Sequence, residues 1–203
     1  RGYAIREYDL SFPDIIAQMN DAVAERKRQL LYQLQVFEQS LYSDQFRFVQ
    51  GKGSFATEHE IQIDYPDGNQ EVIWADNVVI AVGGRPRILP FIPVDEQRIV
   101  TSNGVGNFSD FPESLVILGA GVIGCEFATI FANFGKTKVN LICKDERILP
   151  FEDQDISDKI ASNLRKLGVT IHTNARAERF EPLENGQVEY ELKYKDGSRE
   201  THQ

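Results

Sequence analysis

The chain has 203 residues, 41% apolar and 26% charged, with 31 acidic against 22 basic side chains and a net charge of −9. That composition suits a globular protein burying one large core or two modest ones. It excludes a broad nucleic-acid surface, which needs clustered Lys and Arg. No apolar run approaches the ~20 residues that cross a bilayer, so neither nucleic acid nor membrane is an expected partner and a cytoplasmic setting is expected.

Residues Phe12–Gln39 are expected to be helical. Pro13 suits the first turn, and Ile15, Ile16, Met19, Val23, Leu30, Leu31 and Leu34 recur at helical spacing as a packing face. From Phe46 the period becomes two: Phe46 and Phe48, then Ile61, Ile63 and Tyr65, alternate with polar residues. Pro66-Asp67-Gly68 supplies a turn, and Val72, Ile73 and Trp74 begin the return strand. Asp76–Ala81 reads as a short buried strand running into Val82-Gly83-Gly84-Arg85-Pro86. The stretch 86–107, with Pro90, Pro93, Gly104 and Gly106, reads as a connection. A second unit is expected from Phe111, dividing the chain into 1–110 and 111–203.

In that second unit Leu115–Leu118 is a strand, Val122–Gly135 a helix and Lys138–Cys143 a strand. Ile156, Ile160, Leu164 and Leu167 mark one face of a further helix stopped by Gly168, and Val169–His172 is a third strand. Ala177–Phe180 and Val188–Tyr194 follow as strands joined by Asn185-Gly186, with another turn signal at Asp196-Gly197. Alternating strands and helices give a parallel, open α/β sheet of Rossmann type, here followed by a β-meander. Cys125 and Cys143 form neither a CxxC pair nor a zinc pattern, and His59, His172 and His202 are scattered, so no metal is expected.

Gly119-Ala120-Gly121-Val122-Ile123-Gly124 fits GxGxxG. The pattern alone is weak, but here it follows a strand and opens a helix, which is the context that gives it meaning. The first glycine permits a tight turn, the second lets a pyrophosphate approach the backbone, and the third allows close helix–strand packing. The helix N-terminus would then hold the phosphates. An acid commonly takes the ribose hydroxyls at the end of the second strand. Here that end is Cys143-Lys144-Asp145-Glu146-Arg147. Asp145 is available for that role, while Lys144 or Arg147 would suit a 2′-phosphate. The third glycine is the NAD-like form, and NAD or NADP stays open.

The run Gly119–Phe131 closely resembles the nucleotide-binding segment of pyridine nucleotide–disulfide oxidoreductases, in particular soluble pyridine nucleotide transhydrogenases and, next, dihydrolipoamide dehydrogenases. Ala81-Val82-Gly83-Gly84-Arg85-Pro86 is similar to the family's second flavin-domain motif, and Arg147-Ile148-Leu149-Pro150 to the stretch after the second strand. The resemblance implies a partial FAD-binding domain over 1–110 and an NAD(P)-binding domain over 111–203. It implies that Gly119, Gly121, Val122, Ile123, Gly124, Cys143 and Lys144 serve the nicotinamide nucleotide, and that Ala81, Val82, Gly83 and Gly53 lie against FAD. Glu126 matches a family glutamate near the nicotinamide–flavin junction. Family members begin with a flavin-binding GxGxxG of their own and close with further strands and an interface domain. The chain is therefore expected to be a fragment, inactive alone and without stable FAD, of a homodimeric enzyme. That enzyme would move hydride between NAD(P)H and FAD as a transhydrogenase, or else as a disulfide oxidoreductase of the dihydrolipoamide dehydrogenase type. A non-catalytic nucleotide-binding module is the alternative from another class.

Overall fold

A computed structural model describes residues 10–40 and 44–203; the opening nine residues of the expected flavin-binding half and residues 41–43 lie outside the described residues. Helix α1 (Phe12–Gln39) has the bounds its periodicity predicts. Ser11 caps it, its Oγ accepting the Asp14 N–H at 3.3 Å. The expected packing face is less covered than its pattern implies. Phe12 is the buried residue of α1, while Met19, Val23 and Leu30 are exposed. Contacts gather the described residues into two units, one of Ala17–Arg85 and one of Pro86–Gln203 with the chain up to Ile16.

In the unit of Ala17–Arg85, β1 (Lys52–Phe55), β2 (Glu60–Asp64) and β3 (Gln70–Trp74) form an antiparallel meander in the order β1-β2-β3. The strand expected at Phe46–Phe48 does not form. The ladder starts only after Gly51, where a side-chain Cβ would sit 2.6 Å from Ile63 Cγ2. Arg47 instead grips Glu71 through two contacts of 2.6 Å, and Tyr65 donates to the same carboxylate. These contacts hold the Glu71 carboxyl down at about 2. The strand expected at 76–81 is a second correction. The segment forms no strand among the described residues, and Val79 is 88% exposed. An apolar run becomes a buried strand only where a ladder partner takes its N–H and C=O groups.

In the other unit, β4 (Ser114–Leu118), β5 (Lys138–Ile142) and β6 (Thr170–His172) form a parallel sheet in the order β4-β5-β6. Helices α2 (Val122–Phe134) and α3 (Gln154–Lys166) make the crossovers. Side chains alternate across the strands. Val139 and Leu141 join Ala128, Phe131, Ala161 and Leu164 on the helical face. Ile142 and Val116 face a second core with Ala175, Tyr190 and Leu192 of the β7 (Ala175–Pro182), β8 (Val188–Tyr194), β9 (Arg199–His202) meander. Both faces of the parallel sheet are thus covered, as such sheets require. The chain is an α/β fold of Rossmann type, as expected, and both predicted hairpin turns occur. The stretch read as a connection packs within this unit, with Val105 and Phe108 against its core.

The buried face of α3 is rotated by about one position from the expected one. Ser157, Ala161 and Leu164 are inside, whereas Ile156 is exposed. Ser157 tolerates burial because its Oγ donates to Leu149 O at 3.0 Å and accepts from Arg147 Nη1 at 2.7 Å.

His172 joins the parallel sheet to the meander. Its Nδ1 lies 2.8 Å from the Tyr194 hydroxyl, which donates to Glu200 Oε2 at 2.9 Å. Burial, then the neighbouring His202, holds His172 below the ordinary histidine value. Near pH 8 folded and unfolded chains both carry a neutral ring, so nothing is lost. As pH falls through the unfolded value of ~6.5, the unfolded chain takes a proton that the folded chain resists, and stability declines. The urea midpoint should fall between about pH 7.5 and 5.5, and His172→Gln should flatten that fall. An unchanged slope would remove His172 from the account.

Candidate nucleotide-binding site

The ladder between β4 and β5 ends at Leu118 beside Ile142, and Gly119 N–H adds one more bond to Ile142 O at 3.0 Å. The chain then turns through Gly119 at φ +100, a left-handed conformation that disfavours any side chain. Ala120 is buried, and its carbonyl accepts the Leu149 N–H at 2.8 Å. Gly121 is the N-cap of α2, and its carbonyl accepts the Cys125 N–H at 3.0 Å. No side chain caps this helix, so the first-turn N–H groups, including those of Val122 and Ile123, are left for a ligand or water.

The three glycines are needed for different reasons. At Gly124 a Cβ would stand 1.9 Å from Gly119 O, so α2 lies against β4 only with glycine there. Gly119 is needed for its backbone angle. Gly121 is needed for neither: its φ is −79, and a Cβ there would meet nothing within 4 Å. Its missing side chain leaves the backbone open above the uncapped helix end, which fits a pyrophosphate seated there.

Beside this loop, the end of β5 differs from expectation in its details. Cys143 is buried, with its N–H on His172 O, its carbonyl accepting from Ala175 N–H, and Sγ 3.2 Å from Arg147 O. Its groups are used within the protein, so Lys144 is the first exposed side chain past the strand. Arg147 is committed too, donating to Glu152 O and Pro150 O at 2.9 Å each and to Ser157. Of the two cations considered for a 2′-phosphate, Lys144 alone remains exposed. Asp145 is half-buried close by. Burial pushes the Cys125 thiol up to about 11 and raises that of Cys143, so neither is a ready thiolate. Glu126 is exposed on α2, as its fifth residue and so just beyond the first turn.

Gly119, Gly121, Val122, Ile123, Gly124, Cys143 and Lys144 thus gather at the strand ends of one unit. The residues assigned to FAD lie in the other. Gly53 pairs with Ile63 in β1, and Ala81, Val82 and Gly83 follow the last strand of its meander in an exposed segment outside any strand. A feature that sequence reasoning missed is a cavity of about 770 Å³ in the first of these units, between the loop after β5 and the arms of the second meander. Lys144, Arg176, Lys193 and Lys195 are among its lining residues. Its signal was present in the spacing of Arg176, Lys193 and Lys195, but only the β7–β8 register brings Arg176 opposite Lys193.

Among the described residues no helix is long and apolar enough to cross a membrane. The pyridine nucleotide-disulphide oxidoreductase family matches residues 11–202. Among curated proteins the chain is 37% identical over 175 residues to the dihydrolipoyl dehydrogenase of Bacillus subtilis, covering 83% of this chain and 38% of that one. It is 38% identical over 149 residues to the soluble pyridine nucleotide transhydrogenase of Sodalis glossinidius, covering 73% and 31%. Among solved structures, LpdA of Mycobacterium tuberculosis superposes with a TM-score of 0.77 at 26% identity, over 97% of this chain and 42% of that one. The chain therefore spans well under half the length of the proteins it matches. FAD and a nicotinamide nucleotide are the cofactors of this group. With its glycine loop and strand order in agreement, the chain belongs to the pyridine nucleotide-disulphide oxidoreductase family.

Proposed function

We propose that the chain is the nucleotide-handling part of an FAD-dependent oxidoreductase that moves hydride between NAD(P)H and FAD, and that the whole protein is a soluble NAD(P) transhydrogenase. The observation that carries the nucleotide assignment is Gly121, a glycine that neither backbone angle nor packing explains. In this reading the first-turn N–H groups of α2 take the pyrophosphate, Val122 and Ile123 border it, and Cys143 shapes the floor from which Lys144 projects. Ala81, Val82, Gly83 and Gly53 serve the flavin, and Glu126 stands toward the nicotinamide–flavin junction. The bound cofactors supply the redox chemistry, and the protein orients them and sets their electrostatic surroundings. Homodimeric assembly and a cytoplasmic setting of the whole protein belong to the same reading.

A dihydrolipoamide dehydrogenase is the second reading, favoured by the identity to the Bacillus enzyme. Both thiols of this chain are buried against carbonyls, with Cys125 Sγ 3.6 Å from Ala120 O, so neither is placed for thiol–disulfide exchange. The test is to titrate the chain separately with NADH and NADPH, following nicotinamide fluorescence, with Gly121→Asp alongside. Binding by either nucleotide, abolished by the variant while its melting curve is kept, is the expected result. No binding of either at millimolar concentration would sink the nucleotide assignment.

A further inference from the structure

We propose that Arg147 and Ser157 are positioning residues for the glycine turn: they hold Leu149 in a left-handed backbone conformation from which its N–H fixes the Ala120 carbonyl. Their service to a bound coenzyme rests on the nucleotide reading above, whereas the latch itself does not. Leu149 has φ +48, in a region that residues with a side chain rarely enter. It also precedes Pro150, and a residue before proline is pushed toward extended backbone. Its side chain is 6% exposed, so the residue is buried as well as strained. Backbone held this far from its preference persists only where its surroundings over-determine it, and such places gather at functional sites.

The surroundings of Leu149 are two side chains and a tight loop. Leu149 O accepts from Ser157 Oγ and from Glu152 N–H, each at 3.0 Å. Ser157 Oγ in turn accepts from Arg147 Nη1 at 2.7 Å. The same guanidinium reaches the carbonyls beyond Leu149, Pro150 O through Nη2 and Glu152 O through Nη1, each at 2.9 Å. The loop from 147 to 152 is thus wound about the side chain of its own first residue and pinned to α3 by one hydroxyl. Arg147 is half-buried, and these three contacts are all to neutral oxygens, so it holds a shape. A lysine could not replace it, because an ammonium has no planar fork to bridge acceptors on two edges.

What the latch delivers is the Leu149 N–H, which donates to Ala120 O at 2.8 Å. Ala120 is 5% exposed and lies between Gly119 and Gly121, so its peptide sets the course of the turn. Were Leu149 to relax to an ordinary φ, that N–H would swing away. Ala120 O would keep only the Cys125 thiol, a weak donor 3.6 Å distant. A buried carbonyl so deprived would shift to find another donor, and the turn would leave the shape that opens its backbone to a pyrophosphate.

The experiment compares Ser157→Ala and Arg147→Lys with the wild-type chain by amide hydrogen exchange and by titration with NADH and NADPH. Ser157→Ala is the milder change, because alanine is the better helix former and α3 keeps its fold. The Leu149 N–H should exchange about tenfold faster in both variants. The Leu141 N–H, in a fully buried residue of the central strand β5, should keep its wild-type protection. Affinity for the nucleotide that binds should fall about tenfold, with the melting temperature of Ser157→Ala nearly unchanged. Unchanged exchange at Leu149, or equal acceleration at Leu141, would overturn the latch. Faster Leu149 exchange with wild-type nucleotide affinity would overturn the positioning role. If the wild type binds neither nucleotide, the nucleotide reading falls with the coenzyme service, and selective Leu149 exchange would still support the hold on the glycine turn.

Discussion

Gly124→Ala should lower the unfolding free energy by about 1–3 kcal/mol, although the same exchange in an exposed helix gains about 0.5–1 kcal/mol. The sign turns on one distance. The added Cβ would lie 1.9 Å from the Gly119 carbonyl oxygen, and that atom is backbone, so no rotamer change relieves the clash. Helix α2 must move off β4, and the core beneath it, with Ala128 and Phe131 fully or almost fully buried, opens with it. Gly121→Ala is the informative companion. It has open space and an ordinary backbone angle, so its urea midpoint should hold or rise slightly while nucleotide binding falls. Should Gly124→Ala be as stable as the wild type, the close packing of α2 on β4 would be wrong.

Phe131→Ala should cost about 3–5 kcal/mol, enough to unfold a domain of ordinary stability near physiological temperature. Phe131 is 1% exposed and stands among rings from α1, from the segment before β4 and from its own helix. Phe12 of α1 lies 6.4 Å away, Phe108 6.5 Å and Phe134 6.3 Å, between ring centroids. Phe111 closes the cluster, 5.1 Å from Phe12 and 5.2 Å from Phe134. Because Phe12 and Phe131 share one cavity, the double variant Phe12→Ala/Phe131→Ala should be less destabilised than the two single losses together. Chemical denaturation of the four chains measures this directly. Strict additivity would mean that α1 does not anchor to this core through its first residue.

Much of this was legible in the sequence because it rests on local signals. The bounds of α1, the glycine loop between strand and helix, and the two hairpins of the last meander follow from period and turn chemistry. Where the reading went wrong, the deciding partner lay elsewhere in the chain. Asp76–Ala81 has the composition of a buried strand, but composition does not say which strand pairs with it. Ile156 looked like core until Ser157 took its place, and Ser157 tolerates burial because Leu149 O and Arg147, eight and ten residues earlier, satisfy its hydroxyl. Arg147 was thereby removed from the ligand side, which nothing in its own neighbourhood announced. The same holds for the basic cavity, whose side chains come from the β5–α3 loop, β7 and the end of β8.

The bond from Leu149 N–H to Ala120 O has a kinetic meaning. It clasps the turn proposed to receive the diphosphate to the segment that follows β5, so under that proposal the two ends of an adenosine diphosphate moiety meet a surface assembled in advance. Little chain entropy is then left to lose on capture. Coenzyme exchange in such a site is governed by how fast contacts break on departure, rather than by a closing loop on arrival.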